Sequence, residues 1–253
     1  GEKINVVLPL TGDMRSFPAD RFVFMATSMG TVKKTALDEF SNPRKGGIIA
    51  VNLDDGDYLI GAALTDGQHD VMLFSDGGKA VRFNEHEDRG GVRPLGRAAR
   101  GVRGMMLEDG QSVIAMLVAE DETQSVLTAT ENGYGKRTSI VEYTRHGRGT
   151  KGMIAIQQSE RNGKVVAATL VHADDEIMLI TDKGVLVRTR VSEIRELGRA
   201  TQGVTLIALD EGSKLSGLQR IVENDANVTD AEADGDAGPD SGGASPAPEA
   251  PDA

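Results

Sequence analysis

The chain has 253 residues, of which 39% are hydrophobic and 4% aromatic, and its formal net charge is −11. The absence of cysteine excludes a disulfide framework, a thiolate nucleophile and a cysteine-based zinc site. The sequence shows no N-terminal signal pattern and no apolar run of about 18 residues, so it offers no route to secretion or to a membrane and favours a cytoplasmic protein.

Residues 1–20 match the second half of a repeat that recurs along the chain. Gly1 and Gly12 take the places of the second and third of three glycine landmarks that each complete repeat contains. The chain thus starts in the middle of a repeat. We therefore expect a fragment, with the native protein extending further toward the N-terminus.

Four complete repeats follow, at about 21–69, 70–123, 124–174 and 175–222. Their first landmark is a hairpin turn, the second precedes an apolar strand and the third is another turn. The first landmarks are Gly30, Gly78, Gly133 and Gly184, at steps of 48, 55 and 51 residues. The second are Gly47, Gly101, Gly152 and Gly203, and the third are Gly56, Gly110, Gly163 and Gly212.

Short β-rich runs lie between these landmarks, as in "FVFMAT", "TVKKTAL", "GIIAVNL" and "YLIGAAL" of the first complete repeat. Runs of five to seven β-branched and aliphatic residues, separated by Gly, Asp and Asn turns, indicate strands. Each repeat thus supplies about four strands. A four-stranded unit of about 50 residues is the size of a propeller blade, so the fold class is all-β and propeller-like, with about four and a half blades in residues 1–222.

The segment 223–253 differs in composition, with nine acidic residues, no basic ones and four prolines. We interpret it as a disordered acidic tail. Without it, 30 acidic and 28 basic residues leave a net charge of only −2.

Basic residues recur in phase with the repeats. A cation stands four residues after each turn glycine, at Lys34, Arg82, Arg137 and Arg188. The windows 30–45, 79–103, 134–151 and 183–199 together hold 21 of the 28 Lys and Arg but only 8 acidic residues. Ordinary solubilising charge explains single residues but not this periodic excess.

In a radial array of blades, this pattern places a basic strip around the rim, suited to a polyanion. Many separate phosphate contacts give sequence-independent binding to duplex DNA, and the scarcity of aromatic residues argues against a single strand. The predicted DNA-binding residues are Lys33, Lys34, Arg44, Lys45, Lys79, Arg82, Arg93, Arg97, Arg100, Arg103, Lys136, Arg137, Arg145, Arg148, Lys151, Lys183, Arg188, Arg190, Arg195 and Arg199.

No catalytic or metal-binding pattern is visible. The four histidines, His69, His86, His146 and His172, occur singly, without a second ligand at metal-binding spacing. The glycine-rich stretch 90–104 lacks the Gly-Lys-Ser/Thr ending of a phosphate-binding loop. We therefore predict a chain without enzymatic activity, cofactor or metal of its own.

With these residues laid out, the sequence closely resembles the C-terminal domain of the A subunit of bacterial DNA gyrase, from about Gly1 to Val222. The resemblance rests on "VFMATSMGTVKKTALDEF", "VMLFSDGGKAVRF", "LTATENGYGKRTSIVEY", "TKGMIAIQ", "ERNGKVV" and "IMLITDKGVLVRTRVSEI". It implies a six-bladed β-pinwheel that binds and wraps double-stranded DNA. The holoenzyme, a type IIA topoisomerase in which two A and two B subunits associate, then introduces negative supercoils on the bacterial chromosome with ATP.

In this family the catalytic tyrosine, the ATP site and the magnesium site lie outside the domain, and variable tails modulate wrapping. The family's first blade carries the box Q-R-R-G-G-K-G, and the resemblance places that blade and half of the second before residue 1. "DRGGVRP" at 88–94 lies in a different blade and lacks the leading Gln and the final Lys-Gly, so the role of the box is not carried onto it.

Two alternatives stay open. The corresponding part of the related topoisomerase IV is a similar but more degenerate domain. A propeller used for protein interaction would carry apolar or mixed patches on a face of the disc.

Overall fold

The computed structural model describes residues 4–10 and 17–222, in which the protein is an all-β array of four antiparallel sheets. Contacts group Gly1–Val222 into one compact unit. The described helical segments are the 3-10 turns Leu37–Phe40, Glu87–Arg89, Ile140–Glu142 and Val191–Glu193. No helix in this part of the chain is long and apolar enough to cross a membrane.

Every sheet combines a hairpin of two strands with a seven-residue inner strand of the same repeat. The first sheet has β1 (Phe22–Thr27), β2 (Thr31–Ala36) and β3 (Leu59–Thr65), and the second has β4 (Asp70–Ser75), β5 (Lys79–Asn84) and β7 (Val113–Ala119). The third has β8 (Ser125–Thr130), β9 (Tyr134–Ser139) and β11 (Val165–Val171), and the fourth has β12 (Glu176–Thr181), β13 (Leu186–Arg190) and β15 (Leu215–Ile221).

A two-residue strand from the following repeat completes each of the first three sheets. The short strands β6 (Val102–Arg103), β10 (Met153–Ile154) and β14 (Val204–Thr205) pair antiparallel with β2, β5 and β9. The prediction of four strands per repeat is therefore confirmed for the second to fourth complete repeats. One of the four, however, belongs to the preceding sheet, which links neighbouring blades by strand exchange.

The twelve landmark glycines all have positive φ. In the quoted turn "NGYG", a Cβ on Gly133 would lie 2.6 Å from the carbonyl oxygen of Ile207, so the short chain segment from the next repeat passes too closely for a side chain. The repeat landmarks therefore mark positions where the backbone needs glycine, and the propeller-like architecture that they predicted is confirmed.

The hydrophobic core lies between successive sheets. Phe24 and Val32 of the first sheet pack with Leu73 and Phe83 of the second, with the Phe24 and Phe83 rings 6.3 Å apart. Equivalent clusters join the second sheet to the third and the third to the fourth. Blade-to-blade burial is thus the main source of hydrophobic stabilisation.

Four expectations are altered or untested. "GIIAVNL" at 47–53 forms no strand, because neither 4–10 nor 17–20 contains a strand with which it pairs. Residues 4–10 and 17–20 likewise form no strands, although Leu8, Leu10 and Phe17 pack against Val23 and Met25, on the face of the first sheet that points away from the second. The fourth sheet has three strands in the described residues. The predicted tail at 223–253 lies outside the described residues.

Candidate nucleic-acid interface

The loops that carry most of the predicted DNA contacts lie along the outer edges of the sheets. The carbonyl of the fourth residue after the turn glycine accepts an N–H from the loop of the next repeat in each of the first three sheets. These bonds join Leu95 N to Lys34 O at 2.7 Å, His146 N to Arg82 O at 2.8 Å and Leu197 N to Arg137 O at 2.8 Å. Because the inner strands β3, β7, β11 and β15 contact one another in turn, the loops occupy the opposite, outer side of the array.

Lys33 and Lys136 are buried at equivalent positions, three residues after a turn glycine. Lys33 Nζ donates to the carbonyl of Ala50 at 2.6 Å and to that of Arg97. Lys136 Nζ donates to the carbonyl of Gly198 at 2.5 Å and to that of Arg199. Burial lowers the pKa of each lysine to about 8.

Lys34 and Arg82 are also buried, each 3% exposed. Lys34 Nζ donates to the carbonyl of Glu85 at 3.0 Å, and burial lowers the pKa of this lysine. The Arg82 guanidinium donates to Asp70 at 2.8 Å, to Glu122 at 2.8 Å and to two backbone carbonyls, those of Ile140 and Tyr143.

The burial of these four side chains argues against the prediction that they contact DNA. An ammonium or guanidinium group enclosed by protein acceptors already has its hydrogen bonds, and a phosphate has no path to it. Lys33, Lys34, Arg82 and Lys136 lie in the joints between blades instead.

The four cations that follow the turn glycines thus have unequal environments, although they align in the repeats. Lys34 and Arg82 are buried, Arg137 is 15% exposed and lies 3.6 Å from Glu196, and Arg188 is 53% exposed and paired with Glu176.

Four other predicted contacts are half-buried. Lys79 pairs with Glu108 at 2.7 Å. The remaining three donate from Nη1 to backbone carbonyls of the preceding repeat: Arg97 to Ile49 O at 2.9 Å, Arg148 to Arg103 O at 3.2 Å and Arg199 to Ile154 O at 2.8 Å.

The exposed cations among the predicted contacts form two groups. Ion pairs hold Arg100 to Asp54 at 2.7 Å, Arg190 to Glu176 at 3.6 Å and Arg145 to Glu122 at 2.7 Å, while Lys183 donates to the carbonyl of Glu211 at 3.0 Å. Within residues 4–10 and 17–222, the side chains of the other six make no hydrogen bond or ion pair. They are Arg44, Lys45, Arg93, Arg103, Lys151 and Arg195.

Sequence reasoning missed the acidic partners of this strip. Asp70 and Glu122 together neutralise Arg82 and Arg145 beside a cavity of about 580 Å³. Burial alone would raise the pKa of Asp70, but hydrogen bonds from Arg145 and Asn84 and the charge of Arg82 hold it below its usual range. The carboxylates lie 75 and 23 residues from Arg145, so no local pattern indicates these pairs.

His69 was expected to stand alone, but folding brings it to two carboxylates. Its Nδ1 lies 2.8 Å from Asp66 and 3.8 Å from Glu85. The buried Glu85 side chain accepts hydrogen bonds from the Thr65 hydroxyl at 2.7 Å and from the His69 backbone N–H at 3.0 Å. These bonds fasten the connection between β3 and β4 to the end of β5.

Comparison with known proteins gives a consistent match. The family model described as "DNA gyrase C-terminal domain, beta-propeller" matches residues 21–66, 69–120, 124–172 and 175–221. The A subunit of DNA gyrase from Salmonella typhimurium is 53% identical over 222 residues, and that from Neisseria gonorrhoeae is 45% identical over 269. These matches cover 88% and 91% of this chain but 24% and 29% of the relatives, so the chain spans about a quarter of their length.

Solved structures agree with the fold. A DNA gyrase A C-terminal domain matches with a TM-score of 0.72 and 27% identity, over 82% of this chain and 68% of that one. The C-terminal domain of DNA topoisomerase IV has a TM-score of 0.76 at 24% identity, over 81% of this chain and 63% of that one. The second likeness is one of fold alone.

Proposed function

The chain belongs to the family of DNA gyrase C-terminal domains, and from this premise we propose that it binds double-stranded DNA along its outer rim and bends it around the disc. Binding and wrapping involve no chemical step of the chain's own. The strand breakage and ATP hydrolysis that use wrapped DNA are assigned to other parts of a gyrase.

One observation carries this proposal: exposed cations that form no ion pair within the described residues occur in the rim loops of three successive repeats. Arg93 lies in the loop of the second complete repeat, Lys151 in that of the third and Arg195 in that of the fourth. Each loop crosses the outer edge of the preceding sheet. Cations on three consecutive rim loops offer a duplex several phosphate contacts at once.

The energetics favour a distributed surface of this kind. Bending a short duplex through a large angle costs on the order of several kcal/mol, so attractive contacts are needed along the whole arc. Each phosphate that is neutralised releases counterions and makes the salt slope, the fall of log K with log salt concentration, steeper by about 0.9. Six exposed cations without protein partners in the described residues, with Arg137 and Arg188 close to the same edge, suit this requirement.

We also propose the wider setting from the family. The domain would act within a gyrase of two A and two B subunits, in the cytoplasm and on the chromosome, and its wrapping would direct strand passage toward negative supercoils. The nine acidic residues of 223–253 would compete with DNA for the rim. Deleting them should then tighten binding at low salt, and weaker binding would contradict this part.

The linking number of relaxed circular DNA tests the proposal. Circles are incubated with the chain, closed by a nicking-closing topoisomerase and analysed by gel. We expect a shift of one sign that grows with protein concentration and disappears at high salt. At protein concentrations below saturation, Arg93→Gln combined with Arg195→Gln should reduce the shift, because fewer domains bind.

The matched control is Lys164→Gln combined with Lys214→Gln, which removes the same charge from the turns before the inner strands β11 and β15. It should leave the shift unchanged. No shift and no salt-dependent binding by the unmodified chain would overturn the proposed function.

A further inference from the structure

Three half-buried arginines occupy the same place in three successive joints between blades. Each lies four residues before the second landmark glycine of its own repeat, as Arg97 does before Gly101. Each guanidinium donates to the carbonyl two residues after the second landmark glycine of the preceding repeat. The pairs are Arg97 with Ile49, Arg148 with Arg103 and Arg199 with Ile154.

The surroundings hold these side chains in place. The backbone N–H of Arg97 donates to Glu39 at 3.0 Å, and the equivalent N–H of Arg199 donates to Glu142 at 3.0 Å. Arg148 uses Nε as well, donating to the carbonyl of Gly91 at 2.9 Å. A planar guanidinium with several donors fixes both the distance and the orientation of the segments that it joins.

The same loops separate this contact from the exposed charge. Arg93, Lys151 and Arg195 belong to the same three loops and are exposed, with no side-chain hydrogen bond or ion pair to residues that the structure describes. In each loop, therefore, one cation donates to a backbone carbonyl of the preceding repeat, and another is exposed to solvent. These are two different uses of positive charge within about four residues of chain.

In a repeat array, curvature and twist follow from the small rotation between neighbouring units. The three equivalent arginine bonds connect the rim segments of consecutive repeats, where a small change in angle moves the DNA-facing surface most. Their distances of 2.8 to 3.2 Å set the same link at each joint.

We propose that Arg97, Arg148 and Arg199 are positioning residues that fix the rotation between blades, and through it the writhe that the domain imposes on DNA, without contacting phosphate. This inference rests on the proposed function, because writhe has meaning only if the rim wraps a duplex. It replaces the sequence-based role of these three residues as direct DNA contacts.

Two triple variants of equal charge test the proposal. One carries Arg97→Gln, Arg148→Gln and Arg199→Gln, and the other carries Arg93→Gln, Lys151→Gln and Arg195→Gln. Affinity for a linear duplex of about 20 bp is measured against salt concentration, and the linking-number shift per bound domain is measured on circles at saturation. Circular dichroism and urea unfolding show whether each variant is folded.

We expect the first variant to retain the salt slope within about one unit and to lose at least half of the linking-number shift. The second should lose about 2.7 units of slope, since three phosphate contacts each contribute about 0.9, and should keep its shift per bound domain at saturation. If the first variant loses as much slope as the second and keeps its shift, the arginines are phosphate contacts and the proposal is overturned.

If the triple variant does not fold, the single variants of the three arginines are measured in the same way. Each should lower the linking-number shift of the unmodified chain by about a sixth with the slope retained, and a lost slope with an unchanged shift again overturns the proposal. Failure of the proposed function can be told apart from failure of this inference, because the unmodified chain would then show neither salt-dependent binding nor a linking-number shift.

Discussion

Two kinds of joint alternate along the array, although the repeats that form them align. At the first and third joints, the outer strands β2 and β9 bury Lys33 and Lys136, whose ammonium groups bind carbonyls of the next repeat. At the second joint, β5 has Val81 in that position. The connection is made there by Arg82, which donates to the carbonyls of Ile140 and Tyr143, and by Arg145, which pairs with Asp70 and Glu122. A recurring cation is thus evidence of a recurring position and not of a common function.

The largest effect is expected at the second joint. Arg82→Met leaves the carbonyl of Tyr143 without a donor, that of Ile140 with the Tyr143 N–H alone, and Asp70 with one arginine fewer. The free energy of unfolding should therefore fall by about 3 to 5 kcal/mol. Urea denaturation measures this loss. The exposed pair of Arg100 with Asp54 supplies the control, since Arg100→Gln should cost less than about 0.5 kcal/mol. Similar losses for the two variants would contradict the buried role of Arg82.

The next largest effect on stability is expected at the two joints that bury Lys33 and Lys136. Lys136→Met removes both bonds to the carbonyls of Gly198 and Arg199, and we expect a loss of about 2 to 4 kcal/mol in the free energy of unfolding. Lys151→Met, at an exposed site, should change it by less than about 0.5 kcal/mol. A neutral Lys136→Met, measured in the same denaturation series, would show that the buried ammonium is not structural.

The buried lysines also predict a pH dependence of stability. Burial lowers their folded-state pKa to about 8 from 10.5, so between these values the unfolded chain binds more protons. The free energy of unfolding should therefore rise from pH 8 toward pH 10, by up to roughly 1.4 kcal/mol per pH unit for each lysine.

Tyr143, whose pKa burial raises, opposes this trend only above about pH 10, where tyrosine in the unfolded chain ionises. Lys136→Met should reduce the slope between pH 8 and 9.5. Urea denaturation at several pH values measures this slope. If the free energy of unfolding of the unmodified chain stays flat or falls between pH 8 and 9.5, the lowered pKa of the buried lysines is refuted.

The smallest effect concerns DNA binding at the second joint. Glu122 accepts from both Arg82 and Arg145, and Arg145 is 58% exposed, so Glu122→Gln should free part of its charge for a phosphate. We expect duplex binding about two- to five-fold tighter at low salt, with the salt slope larger by at most about 0.9. Glu108→Gln is the matched comparison, because it also removes one negative charge and the ion pair of an acidic residue with a rim cation, here Lys79. Weaker binding by Glu122→Gln would contradict the neutralising role.

Much of the fold could be predicted from the sequence, because glycine turns and β-rich runs are local signals. Strand β1 coincides with the run "FVFMAT", and Gly30, Gly78, Gly133 and Gly184 all have the positive φ that the hairpin turns need. The partner of a two-residue strand such as β6 is not local. Its pairing with β2, about 70 residues earlier, follows from blade packing and not from its own residues.

The candidate site was less accessible to sequence reasoning. Lys33 and Lys34 are neighbours in strand β2, so their side chains lie on opposite faces and the sequence predicts that one of them is exposed. Both are buried, because Lys33 is covered by the loop of Ala50 in its own repeat and Lys34 by the next blade. The change from Lys33 and Lys136 to Val81 and Val187 at one repeat position was a visible sign of a core role. The acidic partners Asp70 and Glu122 gave no such sign.

Lysine reactivity with and without duplex DNA tests the central claim most directly, namely that exposed rim cations bind DNA and buried ones support the fold. The chain is acetylated briefly at low salt, and each lysine is quantified by mass spectrometry. Lys45 and Lys151 should react in the free chain and become protected by a duplex, while Lys33, Lys34 and Lys136 stay unreactive in both states and Lys164 reacts equally in both. Protection of Lys164 without protection of Lys151, or ready modification of Lys33 and Lys136 in the folded chain, would contradict the account.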